Sequence, residues 1–243
     1  MKNCWIVLLA GALFACNNSK DKTASEAKDD TPPPAAAAAN PLDKLVGSFV
    51  GAFGDNKITL LITKVLKDTV EGRTVVGGND RPFVGTLSEK EGVYNIAARE
   101  PGDDPNDGVF QFAIQLANPD LLTGSWKPYD KKKGEKMYTL QRKAFVYRVD
   151  VGDYPIASQR ELKPEDVENM MKEDLITMRN EIYARHGYCF KKKDMRQYFE
   201  QLDWYVPDNV DVRDKLTDIE KKNIDIIKRY EKYAEEYGDE YGR

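Results

Sequence analysis

The sequence predicts an α+β chain with two folded parts. An N-terminal antiparallel β-barrel-like domain of about eight strands precedes a small all-α domain. Three observations carry this. Apolar residues alternate with period two through the first half, as in Phe110, Phe112, Ile114 and Leu116 against Gln111, Ala113, Gln115 and Ala117. Glycine recurs between larger residues of one strand phase. Beyond about residue 159 the apolar spacing becomes helical.

In chain order, Lys2 precedes an apolar run from Trp5 to Phe14 that ends in Leu13-Phe14-Ala15-Cys16. A basic start, a short apolar stretch and small residues before a cut read as an export signal. The run of about ten residues is far below the roughly 20 of a spanning helix. With cysteine at the cut, it resembles a bacterial lipoprotein signal. The resemblance implies removal of residues 1–15, a lipid on Cys16 as the membrane contact, and an extracytoplasmic address at the outer membrane or cell surface. Residues 16–40 then form the lipidated cysteine and a disordered tether, rich in Ala, Pro, Asp and Lys and poor in core formers.

Residues 41–150 are the predicted barrel-like domain. Strands are expected near 46–53, 57–65, 69–77, 82–88, 92–99, 109–117, 121–126 and 136–142. Phe49-x-Gly51-x-Phe53, Val70-x-Gly72-x-Thr74, Phe83-x-Gly85-x-Leu87 and Leu122-x-Gly124-x-Trp126 each place glycine between two larger residues on one face. Glycine weakens a strand, so its recurrence points to curvature or to alternating small and large residues inside a tapering barrel. The pattern resembles avidin- and lipocalin-like barrels. Trp126 is the only tryptophan in this part, so biotin binding is not implied. The loop 101–108 carries Asp103, Asp104 and Asp107. Pro105 falls where a calcium loop needs an oxygen ligand, and turn chemistry accounts for the stretch.

Residues 151–243 are the predicted helical domain. Pro164-Glu165-Asp166 suits a first helical turn. Leu175, Met178 and Ile182 fall at helical spacing, and Gly187 stands where a left-handed cap is common. A short helix is expected near 194–201. Thr217-Asp-Ile-Glu220 is a capping box, opening an amphipathic helix with Ile219, Asn223, Ile226, Ile227, Tyr230 and Ala234 on one face.

Arg179, Asn180, Glu181, Tyr183, Arg185, His186 and Gly187, followed by Tyr198-Phe199 and Trp204-Tyr205, resemble the YARHG domain, named for the run Tyr183 to Gly187. The resemblance spans about Leu162 to Glu231. It implies a small helical module of exported bacterial proteins, with no biochemical role attached. Two physical readings stand side by side. Arg179 and Arg185 have forked donors that pair with Glu181 or hold an anion, and the aromatics form either the module's core or a stacking wall for sugar or peptide.

Composition narrows the function classes. With 37 Lys and Arg against 41 Asp and Glu, a net charge of −4 argues against nucleic-acid binding. A mature chain with Cys189 as its one cysteine beyond Cys16 has no internal disulfide. A lone histidine cannot build a two-histidine zinc site, His186 and Cys189 lack an orienting third group, and no cofactor is called for. The expectation is a non-enzymatic, membrane-anchored envelope protein that binds cell wall or an envelope protein. A small-ligand carrier and a cell-wall hydrolase are the alternatives.

Overall fold

The computed structural model describes residues 41–237. The proposed signal, Cys16, the tether and the last six residues lie outside the described residues. A 3-10 turn η1 (Pro41–Leu45) leads into eight strands: β1 (Gly47–Phe53), β2 (Asn56–Leu66), β3 (Thr69–Val76), β4 (Asn79–Lys90), β5 (Val93–Arg99), β6 (Gly108–Gln115), β7 (Asn118–Pro128) and β8 (Lys136–Arg142). Each strand pairs antiparallel with the next, and β1 closes on β8. The expected strands are all present, with ends differing by up to three residues.

The inward phase of each strand makes the core. Phe49, Ile58, Leu60, Ile62, Phe83, Phe110, Ile114 and Leu122 belong to one buried cluster. An eight-stranded barrel is narrow enough for its own side chains to fill. The strand glycines make room for this filling. A side chain at Gly72 would run into the Phe83 ring and the Leu61 carbonyl, and one at Gly124 into Gln111 and Phe112. Rings on one strand thus occupy space left open by glycine on the next.

The closure is short in backbone and reinforced by one side chain. Only Phe49↔Arg142 and Val50↔Gln141 are in register between β1 and β8. The Arg142 guanidinium donates to the Val46 carbonyl at 2.8 Å, the Pro119 carbonyl at 2.9 Å and Asp120 at 2.9 Å. Its centre lies 4.6 Å from the Phe49 ring centroid. Leu45 of η1 is buried in the core and Leu42 packs against it, so this turn caps the end of the barrel where β1 begins.

The helical part contains α1 (Ile156–Gln159), η2 (Pro164–Asp166), α2 (Lys172–Arg185), α3 (Lys193–Phe199), η3 (Arg213–Lys215) and α4 (Asp218–Tyr237). Pro164 begins a single 3-10 turn with Glu165 and Asp166, separate from the long helix α2. There the Asp166 carboxylate accepts the Lys163 N–H at 2.7 Å and pairs with Arg160 at 2.8 Å. Those bonds complete a self-contained turn, and α2 starts afresh at Lys172. Leu175, Met178 and Ile182 of α2 pack with Ile224 and Ile227 of α4 in one cluster, while Phe190, Phe199 and Tyr205 form a second.

Barrel and helices belong to one compact unit. Lys57 donates its N–H to Glu200 at 2.9 Å and its ammonium to the Leu202 carbonyl at 3.0 Å. Arg73 donates to the Asp208 carbonyl at 2.9 Å, and the Gly78 N–H donates to Cys189 Sγ at 3.0 Å. On the outward phase beside Lys57 and Arg73, Thr59 and Val75 are register partners and both are buried.

Gly72→Val should destabilise the protein by about 1–3 kcal/mol in urea unfolding, the usual cost of overpacking a filled core. Adding Phe83→Leu should recover part of that loss. An unchanged unfolding midpoint for Gly72→Val would contradict the packing described.

Candidate functional site

The motif residues cluster around α2, and the helix divides them between two faces. Glu181 and Arg185, one turn apart, point into the interior. Their side chains are wholly inaccessible and pair at 2.7 Å. Glu181 also accepts the N–H groups of Asp153 at 2.7 Å and Tyr154 at 2.9 Å. Gly152, in left-handed backbone at φ 90°, is needed beside it, because a side chain there would strike the Glu181 carboxylate. Arg185 donates to the Val151 carbonyl at 2.9 Å and to Ser158 Oγ at 3.1 Å.

Ser158 carries the network to α4. Its hydroxyl donates to Glu220 Oε1 at 2.7 Å, and the Tyr147 hydroxyl donates to the same oxygen at 3.1 Å. His186 Nε2 meets Glu220 Oε2 at 2.7 Å, and the imidazole stacks on the Tyr147 ring with centroids 4.4 Å apart. The capping box is present as expected. Glu220 Oε2 accepts the Thr217 N–H at 2.9 Å, and Thr217 Oγ1 accepts the Glu220 N–H at 3.2 Å. One carboxylate therefore caps its own helix and anchors a chain of groups running Glu220–Ser158–Arg185–Glu181.

These partners set the charge states. Burial pushes the Glu220 carboxyl up, but bonds from His186, Ser158 and the Thr217 N–H outweigh it and hold the group below its ordinary value. Burial pushes the Glu181 carboxyl up, against the opposing pull of two backbone N–H groups and Arg185. A guanidinium does not release its proton in proteins, so Arg185 stays charged.

His186 ends α2, and Gly187 follows in left-handed backbone at φ 73°. The Tyr188 N–H then bonds back to the Tyr183 carbonyl at 3.1 Å, which completes the expected cap. A side chain at Gly187 would meet the Phe145 ring at 2.9 Å. His186 and Cys189 have separate partners: the histidine is held by Glu220 and Tyr147, the thiol by Gly78. Burial pushes the Cys189 thiol up to about 11, so the thiolate of a nucleophile is disfavoured at neutral pH.

The other face of α2 is different. Ile176, Arg179, Asn180 and Tyr183 recur at helical spacing and line a groove of about 720 Å³, with Tyr188, Phe190, Lys191 and Lys192 opposite. Arg179 is held at the edge by Glu231, at 2.5 Å and 3.1 Å, and Asn180 donates to the Ile176 carbonyl at 2.9 Å. Of the aromatics, Phe199 and Tyr205 are buried core, with Phe199 stacked on Phe190 at 4.6 Å. Trp204 is half-buried and Tyr198 is exposed. They do not form one continuous stacking wall.

Residues 152–232 match the YARHG domain model. The chain carries a YARHG domain. The comparisons with curated proteins and with solved structures gave no match. Within the domain, sequence reasoning located Glu181, Arg185 and His186 and offered the Arg185–Glu181 pair as one of two readings, but missed their partners outside the motif. Tyr147 and Ser158 carry no local sequence signal. Glu220 was visible as the last residue of a capping box, but not as the junction of the network. Among the described residues, no cluster of three or more His, Cys, Asp or Glu side chains could hold a metal ion.

Glu220→Ala should cost about 3–5 kcal/mol in chemical denaturation at pH 7, since it strands several buried donors. Glu220→Gln, which keeps the shape and the cap, should cost less. The folded state holds Glu220 below its ordinary value, so its contribution is present above about pH 4.5 and lost as pH falls through the folded value. The stability gap between the wild type and Glu220→Gln should therefore shrink in acid, and a constant gap would contradict the assignment.

Proposed function

We propose that this chain is a lipid-anchored bacterial envelope lipoprotein whose YARHG domain binds the cell wall without catalysing a reaction. The observation that carries the reading is the division of α2. One face spends Glu181 and Arg185 on internal bonds, while the other presents Arg179, Asn180 and Tyr183 to an open groove. The groove combines Tyr183, Tyr188 and Phe190 with the exposed ammonium groups of Lys191 and Lys192. Aromatic rings offer stacking surface to sugars, and the two cations suit carboxylates of a wall peptide.

The lipoprotein part rests on the resemblance of residues 1–16 to an export signal ending in cysteine. Lipid on Cys16 would supply the membrane contact, and residues 17–40 would supply reach. The non-catalytic part rests on how the reactive side chains are occupied. His186 is enclosed by Glu220 and Tyr147, and Cys189 is buried against Gly78.

Purified mature protein lacking only its lipid should sediment with isolated bacterial cell wall and release no soluble fragments detectable by mass spectrometry. Lys191→Glu with Lys192→Glu, on an exposed segment, should reduce the bound fraction at least about tenfold, the loss of charge-assisted bonds worth more than 1.4 kcal/mol. Release of fragments would establish a hydrolase instead. Absence of sedimentation would remove the cell wall as the partner.

A further inference from the structure

The barrel end opposite η1 is not filled like the rest of the core. A pocket of about 300 Å³ opens there, floored by Phe53, Phe110 and Trp126. These rings pack edge to face, with Phe53 and Trp126 centroids 5.6 Å apart. Polar groups reach the same space. Thr74 lines it from the inward phase of β3, is completely buried, and its hydroxyl finds no partner among the described residues. Outside the pocket lining, Tyr138 packs its ring against Phe53 and Phe110, and its hydroxyl is likewise buried and unpartnered among the described residues. Native proteins rarely leave buried polar atoms without a partner, and a bound small molecule is one way of completing the bonding.

The YARHG domain supplies the last wall. Arg196 of α3 lines the pocket, and its Nε is buried with no partner. Among the described residues only one of its terminal nitrogens is engaged, by the Lys191 carbonyl. From the barrel, Lys136 holds its ammonium 4.7 Å from the Phe53 centroid and 5.5 Å from that of Trp126. The other charges around the pocket are already committed. Arg81 pairs with Asp107 at 3.4 Å, and Glu100 Oε2 accepts from the Gly108 N–H at 2.8 Å and the Trp126 indole at 3.3 Å. Arg196 and Lys136 remain as cations without an ion pair among the described residues.

We infer that the barrel mouth binds a small organic carboxylate, its anionic head between Arg196 and Lys136 and its apolar body on Phe53, Phe110 and Trp126. The volume sits at the lower end for ligand sites and fits a body of about one ring. A guanidinium without an ion pair within 4 Å and an ammonium, both lining one pocket, favour a carboxylate over a neutral group. The aromatic floor selects an apolar or aryl body over a fully hydroxylated one. The Thr74 hydroxyl is placed to bond the deeper part of the ligand. Because Arg196 comes from α3, the site is complete only when the helical domain is docked on the barrel. This site is separate from the groove on α2 and stands or falls independently of cell-wall binding.

The test is calorimetric titration of the mature, unlipidated protein with sodium benzoate, with benzyl alcohol and a methyl glucoside as neutral probes. The indole N–H resonance of Trp126 reports the location. Benzoate should bind one to one and shift that resonance. Benzyl alcohol and the glucoside should bind at least tenfold more weakly. Arg196→Ala and Thr74→Val should each weaken benzoate at least tenfold while retaining the wild-type melting temperature. Arg196 projects from a short surface helix and Thr74→Val keeps the side-chain shape, so one variant remains informative if the other unfolds. No benzoate binding, equal binding of benzyl alcohol, or full affinity in both folded variants would overturn the inference.

Discussion

Two carboxylates buried in the helical half, Glu181 and Glu220, are joined through Arg185 and Ser158 into one hydrogen-bonded chain. Taking three charges out of water is expensive, and only complete bonding offsets it. The bonding here is close to complete. Glu181 receives two backbone N–H groups and a guanidinium; Glu220 receives Thr217, Ser158, Tyr147 and His186. The result ties the segment after β8 to α2 and α4. It does so without a disulfide, in a module whose apolar clusters are small. The letters of the YARHG run are accounted for locally: Tyr183 lines the groove, Ala184 is buried beside Phe190, Arg185 and His186 hold the network, and Gly187 ends the helix.

The same arrangement positions the barrel. Once the segment from Phe145 to Ser158 is fixed, the loops after α2 and α3 lie on the outward side of β2 and β3. There Lys57 and Arg73 reach backbone carbonyls of 202 and 208. These are charged donors meeting carbonyls, a contact that depends on geometry more than on apolar area. Docking also brings Arg196 of α3 to the barrel mouth.

Much of the barrel was legible because strand phase is a local property. Period-two alternation marked the eight strands, and Gly51, Gly72, Gly85 and Gly124 announced a tightly packed interior. The barrel expected from eight strands and recurring glycine is present, but the side chain that reinforces its closure was not legible, since Arg142 reaches Val46, Pro119 and Asp120 across long sequence separations. In the helical half, the cap at Gly187 and the box at Thr217-Glu220 were visible because capping is encoded within four residues. The network was not. Tyr147 and Ser158 look ordinary in sequence, and Glu220 had already been assigned a local task. The helix-start signals at Pro164 did not tell how long the helix would be: a single 3-10 turn meets them, and Arg160 paired with Asp166 favours the shorter structure.

The motif on α2 binds its own chain. Amide hydrogen exchange at Asp153 and Tyr154, read by NMR in the native state, addresses it directly. Both N–H groups lie in a segment without helix or strand, and their acceptor is the Glu181 carboxylate. Both should exchange as slowly as the core of α2, and Glu181→Ala should release them selectively. Exchange as fast as in an exposed loop would contradict it, and would return Glu181 and Arg185 to the role of a surface waiting for a ligand.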